Sequence, residues 1–310
     1  MKTRVVSPLV MISVIWGTTW LAIKIGLDSI PPFLAATMRF VLAALVLGTL
    51  VRLRNVPFPR DRRFLRLIIP LGLFSFSVPF ALVYWGQQYI ESGLASILFA
   101  TFPLWVAVFS HFFLPAEHVN LMKWVGSGLG FIGIYVIFAS EITIQGEYVF
   151  LGMGAIVLSA FLQAFMTVAT KKYGQDYPAM VIAFSGMMIG GVTMGIFSLL
   201  VEDYSGARFD EKAILSTLYL ALFGSVMTFA TYYWLLKRVE AVLLSLIAFV
   251  TPIIAIISGA VLLAERLPPE IFAGSSLVLL GILSANSREA LNVLRRGKAI
   301  LLDSPDKSPH

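Results

Sequence analysis

The chain of 310 residues has no cysteine, which excludes disulfide staples and thiolate–metal centres. Charge is scarce too, at 13% of residues, about half the usual share in a globular domain. There are three histidines in all, and no aspartate falls inside any long apolar run. An intramembrane enzyme would need paired aspartates, a His–carboxylate set or a Ser–base pair at depth. His111, the one histidine inside an apolar run, has no acid at helical spacing. No GxxxxGK[ST] loop occurs, so nothing cradles the phosphates of ATP. The loops are too short to hold a soluble catalytic domain.

What is present is apolar: 58% of the chain, with a mean hydropathy of +0.88. Runs of about 20 residues, enough to span a bilayer as helices, are counted at 7–26, 32–52, 67–87, 92–114, 120–140, 148–170, 178–200, 213–235, 241–264 and 268–285. The expected fold class is therefore an all-α polytopic membrane protein with ten transmembrane helices. Of the 23 basic residues, eighteen fall in one set of alternate loops, and Arg208, Lys212 and Arg266 fall in the other. The positive-inside rule then places both termini, the 53–66 and 171–177 loops and the tail from 288 in the cytoplasm, and the 141–147 and 201–212 loops outside. The expected site is an inner or plasma membrane, crossed many times. Lys2 and Arg4 ahead of an apolar run could mark a signal peptide, but nine further runs follow, and an uncleaved first helix is the better reading. The net charge of +6 is read as solvated loops beside anionic headgroups. The bilayer and a small-molecule substrate are the expected partners, with no nucleic acid, cofactor or metal.

One stretch occurs twice. Phe80 to Pro103 aligns without a gap to Phe229 to Pro252, pairing Tyr84 with Tyr233, Trp85 with Trp234, Glu91 with Glu240 and Ser96 with Ser245. With a shift of one residue, Ala116 and Glu117 face Ala264 and Glu265, and Gly126 and Gly133 face Gly274 and Gly281. Ten spans in two copies give five each, and an odd number inverts the second copy. The expected units are 1–140, an inverted 147–287 and the tail 288–310. Such a pair can exchange shapes around a central site.

These residues carry a resemblance. The run Trp16-Gly17-Thr18-Thr19-Trp20 with Lys24, the Arg39-Phe40 pair, Pro103 with Ala116-Glu117, and the echoes Pro252 and Ala264-Glu265-Arg266 resemble the drug/metabolite transporter superfamily in its ten-helix EamA-type branch. The resemblance implies a secondary transporter that exports amino acids or related metabolites by alternating access, without ATP. The chain departs from the branch at Glu117-His118, where Glu-Arg is usual.

Candidate residues follow from depth and chemistry. Arg39 lies about 10 Å below the outer surface, too deep to snorkel, and is expected either to bond backbone carbonyls or to meet a substrate carboxylate. Trp16, Thr19 and Trp20 suit a cavity wall, because a mid-membrane indole N–H needs a partner; the alternative is tight helix packing. Gln163 sits near the equivalent position in the sixth helix. Ser96 and Ser245 complete the candidate binding set. Tyr84-Trp85 and Tyr233-Trp234 are read as interfacial belts or as opposite gates. Pro103 and Pro252, each mid-helix, are candidate hinges. Lys24 is expected to snorkel, and Glu117 and Glu265 to pair with nearby bases. Glycines of the fifth, seventh and tenth helices read as packing faces, one of which could serve a homodimer. A channel would want a charged ring repeated about an axis; a scaffold or receptor stays open at this level.

Overall fold

The computed structural model describes residues 3–114, 147–245, 247–265 and 272–281, with residue 284 and short helical stretches between 125 and 136. Described residues with regular structure are all helical. Among the described residues, seven helices are long and apolar enough to cross a bilayer, and Val250–Leu262 and Phe272–Gly281 are shorter apolar helices. Of the ten expected runs, 120–140 lies largely outside the described residues.

Helices α1 (Thr3–Leu27) and α2 (Pro32–Leu53) are followed by a third span built in pieces: α3 (Arg62–Leu71), a π segment (Gly72–Ser77) and α4 (Val78–Gly86). The fourth span is α5 (Ser92–Phe99) and α6 (Phe102–Phe113). Beyond the poorly covered fifth run come α7 (Glu147–Tyr173), α8 (Ala179–Val201), α9 (Glu211–Ala221), a second π segment (Leu222–Met227) and α10 (Thr228–Leu236). Two further helices, α11 (Ala241–Ser245) and α12 (Ile247–Leu262), lead to α13 (Phe272–Gly281). Large apolar side chains such as Leu45, Leu199 and Ile257 are more than half exposed. Such a surface suits lipid tails, since an apolar side chain facing them has no water to escape.

Local chemistry sets the ends. Pro31 and Pro178 precede α2 and α8 with extended ψ, 143° and 131°, because proline lacks the N–H that an earlier turn would use. Asp61 accepts from the Phe64 N–H at 2.9 Å, and Asp210 accepts from that of Ala213 at 2.9 Å. Both are side-chain N-caps. The Phe64 N–H holds the Asp61 carboxyl below the usual carboxylate range, and the Ser29 hydroxyl does most to lower Asp210.

Pro103 is not the mid-helix kink expected of it. It stands in the first turn of α6, after a break at Ala100–Thr101. Its missing N–H cannot reach back to the Phe99 carbonyl, so one helix ends and another starts. Pro252, by contrast, lies inside α12. The π segment of the third span precedes Pro79, whose ring would crowd the carbonyl four residues back in a regular α-helix. The second has no proline in it; there the Gly224 carbonyl accepts instead from the side chains of Trp16 and Arg39.

Small residues bring the helices together. A Cβ on Gly191 would meet Phe40 and Val41, and one on Gly190 would collide with Phe76. Gly133 lies against the Gly274 carbonyl, and Gly281 lies against the backbone of Gly126 and Gly130. The packing-face reading of these glycines holds, and the last two contacts are reciprocal: Gly133 and Gly281 are sequence counterparts, and so are their partners Gly274 and Gly126.

Candidate functional site

A cavity of ≈ 80 Å³ lies at the centre of the bundle. Trp16, Thr19, Trp20 and Ile23 of α1 form one wall. Gln163 and Thr167 of α7 face them, and Phe229, Tyr232 and Tyr233 come from α10. Arg39, Ser75, Phe80, Phe99, Phe102, Ser245 and Thr251 complete the polar and aromatic lining. Both copies of the repeated sequence contribute.

The indole of Trp16 donates to the Thr228 hydroxyl at 3.0 Å, and its ring meets Phe229 and Tyr232 at 5.3 Å each. The Thr19 hydroxyl donates to its own helix at the Trp16 carbonyl. Arg39 is 2% exposed. Its Nε donates to Ser225 Oγ at 2.8 Å and its Nη2 to the Gly224 carbonyl at 3.0 Å. The guanidinium also lies over Phe80 and Phe40, 4.9 and 5.3 Å from the ring centres. Gln163 donates to the Ser159 hydroxyl at 3.2 Å.

The cavity thus gathers Trp16, Thr19, Trp20, Arg39, Gln163, Ser245 and Tyr233 among the residues expected at a site. Ser96 is fully buried elsewhere, its hydroxyl turned back to the Gly93 carbonyl. Tyr84 is buried beside Arg39 rather than at an interface, and Trp85 packs on Tyr89. Trp234 lies under the Arg238 guanidinium at 3.9 Å. Sequence reasoning missed Ser75, Thr167 and Tyr232. Thr167 was within reach of it: the register that sets Gln163 opposite Trp16 also sets Thr167 opposite Trp20. Its hydroxyl is 3.0 Å from that of Tyr232.

Two polar clusters flank the cavity. Lys24 does not snorkel to headgroups: its Nζ donates to the Gln87 and Ile90 carbonyls at 2.9 and 2.8 Å. These are the orphan acceptors where α4 ends, and a cation answers both their lone pairs and the negative end of the helix dipole. Lys171 does the same for α10, bonding the Leu236 and Val239 carbonyls at 2.7 Å each. Leu236 and Val239 are the aligned counterparts of Gln87 and Ile90.

Glu265 was expected beside a base, yet its carboxylate accepts from Ser92 N (3.0 Å), Ser92 Oγ (2.8 Å) and Gly93 N (3.2 Å). The first turn of α5 is thereby capped from the far end of α12. Ala264, at φ 54°, makes the left-handed step that swings Glu265 back. Glu117 lies outside the described residues.

Partial burial, and then the Glu265 charge, push the Glu91 carboxyl above its usual range, while Lys24 pulls the other way. The folded protein therefore holds this proton more tightly than the unfolded chain. That contribution to stability is complete below the ordinary carboxylate range and is lost as pH rises through the folded titration. Thermal stability in detergent should decline across that window, and Glu91→Gln should flatten the decline. An unchanged slope in the variant would rule Glu91 out as its source.

Among known proteins, a model of the EamA-like transporter family matches residues 5–139 and 150–287. The chain is 26% identical over 279 residues to the uncharacterized transporter YoaV of Bacillus subtilis, covering 90% of this chain and 95% of that one. It is 30% identical over 262 residues to the uncharacterized inner membrane transporter YedA of Escherichia coli K12, covering 82% and 81%. A solved crystal structure superposes with a TM-score of 0.70 at 17% identity, over 92% of this chain and 98% of the other.

Proposed function

This chain belongs to the EamA-like transporter family, and from that premise we propose that it is a secondary carrier working by alternating access around the central cavity. It is a multi-pass membrane transporter. The finer reading is of ten helices in two inverted five-helix repeats, 1–140 and 147–287, with both termini and the tail 288–310 in the cytoplasm of a cell bounded by the membrane it spans. The cargo is an amino acid or related small metabolite, moved outward. Trp16, Thr19, Trp20, Arg39, Gln163 and Ser245 contact it, and Tyr84-Trp85 and Tyr233-Trp234 seal opposite mouths. The break before Pro103 and the helix-internal Pro252 serve as hinges.

One observation carries this reading: the polar and backbone devices of the fold come in pairs, at sequence offsets between 147 and 150 residues. Asp61 and Asp210 cap α3 and α9. Lys24 and Lys171 clamp the ends of α4 and α10. The π segments occupy aligned positions in the third and eighth spans. Two copies of one machine, opposed across a cavity, support two shapes that can be exchanged to turn an outward opening into an inward one.

Two measurements test it. In intact cells an impermeant thiol reagent should label Glu147→Cys and leave Arg60→Cys untouched; the reverse pattern would overturn the inverted arrangement. In liposomes loaded with unlabelled solute, uptake of the same labelled metabolite should saturate and accelerate with solute on the far side. A panel of amino acids and small metabolites that shows no such exchange would refute the carrier.

A further inference from the structure

We propose that the cavity is built for an anion, specifically a monocarboxylate with an apolar and preferably aromatic body, taken up by Arg39; that this anion is the cargo rests on the carrier reading above, whereas the binding does not.

The argument begins with an unbalanced charge. Arg39 lines the cavity and is 2% exposed, well inside a membrane span. Its hydrogen-bond partners are a serine hydroxyl and a peptide carbonyl, and its other neighbours are two phenyl faces. All of these are neutral. Among the described residues, none that lines the cavity is acidic. A buried cation without a counter-charge is costly, and the cost falls when an anion is brought beside it.

The geometry shows which nitrogen is left for that anion. Ser225 and Gly224 hold Nε and Nη2, so the fork is fixed against the eighth span. Nη1 is buried and has no hydrogen-bond partner among the described residues. The buried Tyr84 hydroxyl lies beside the guanidinium and interacts with it, behind the cavity wall. A guanidinium N–H left over in an apolar interior matches a carboxylate oxygen, which accepts a charge-assisted bond from it.

The remaining lining selects the rest of the solute. Trp16, Trp20, Phe80 and Phe229 offer ring faces and apolar area. Only hydroxyls, an amide and rings are available to an ammonium group, so an acid without an amine fits better than a zwitterion, and a cation worst of all.

The test uses the full chain in lipid nanodiscs and the fluorescence of Trp16 and Trp20 as reporter. The probes are phenylacetate, phenylacetamide and phenethylamine, which share the ring and differ in charge. Phenylacetate should quench saturably, about thirtyfold or more tighter than phenylacetamide, with phenethylamine weakest. Arg39→Gln should abolish that preference, and Arg39→Lys should keep part of it, because it restores the charge but not the fork. If Arg39→Gln fails to fold, Arg39→Lys keeps the test open: its preference for phenylacetate over phenylacetamide should be severalfold smaller than the parent's, and an undiminished preference would count against the guanidinium. Equal affinity for acid and amide, no phenylacetate binding at millimolar concentration, or a preference that survives Arg39→Gln would each overturn the proposal. Arg39-dependent binding without counterflow would sink the carrier and leave the anion site standing. Counterflow of cations indifferent to Arg39 would do the opposite.

Discussion

Glu265→Ala should open the outer mouth of the cavity. In a chain without native cysteines, Thr19→Cys gives a single reporter on the cavity wall. Its labelling from outside by an impermeant thiol reagent should accelerate about thirtyfold when Glu265 is lost. The carboxylate makes three contacts, to Ser92 N, Ser92 Oγ and Gly93 N. Hydrogen bonds to a charged group contribute about 1.5–3 kcal/mol each, and the positive end of the α5 dipole adds to them. Even about 2 kcal/mol lost from the closed state alone shifts the balance of states by about thirtyfold. Glu265→Gln, which keeps one acceptor oxygen, should fall between. Labelling rates equal to the parent in both variants would show that the contact survives opening and gates nothing.

The largest loss of stability is expected from Gly281→Ala, with Gly133→Ala close behind. A Cβ on Gly133 would stand 2.6 Å from the Gly274 carbonyl oxygen and 2.7 Å from Val278 N, and one on Gly281 would run into the backbone of Gly126 and Gly130. In both cases the obstacle is main chain, which cannot swing aside as a side chain does. Overpacking of this kind costs about 1–3 kcal/mol, sometimes more, and the two substitutions should behave alike because their contacts are reciprocal. Gly128→Ala is the control: no atom stands within 4 Å of its added methyl, so it should be neutral or gain up to about 1 kcal/mol of helix propensity. Unfolding in mixed micelles reads all three. Equal stability of Gly281→Ala and Gly128→Ala would mean that these helices do not meet through their glycines.

The spans were legible because a membrane demands one thing of them, a sufficient apolar length. The runs at 32–52 and 178–200 became Pro32–Leu53 and Ala179–Val201. That Arg39 is too far inside its helix to reach out of the bundle was legible on the same ground, and its side chain is buried. Neighbours were not. Lys24 was placed correctly near a helix end, but one sequence cannot show that the end of α4 lies beside it with two carbonyls lacking donors. The role of Glu265 was hidden for the same reason: the N–H groups it accepts from belong to residues 172 and 173 positions away. Tyr84 and Tyr233 looked like belt residues because Tyr-Trp pairs near span ends usually are, yet both tyrosines are buried, at 1% and 3% exposure. The π segments left no mark in composition. They arise where backbone hydrogen bonds are rerouted, as at Pro79 and at the Gly224 carbonyl.

The paired devices and the unpaired arginine also bear on the order of events in this protein's ancestry. On the proposed duplication, the π segments, aspartate caps and lysine clamps were present in the ancestral half before it was doubled, since both halves have them. Arg39 is different. In the register that pairs Pro31 with Pro178, its counterpart is Gly186, packed against Phe76. Two identical halves meeting at a dyad would have placed two guanidinium groups around one cavity, or none. Joining the halves in a single gene released each from copying the other, so that one charge could be kept on one side alone. A preference for a singly charged cargo would then be younger than the fold that carries it.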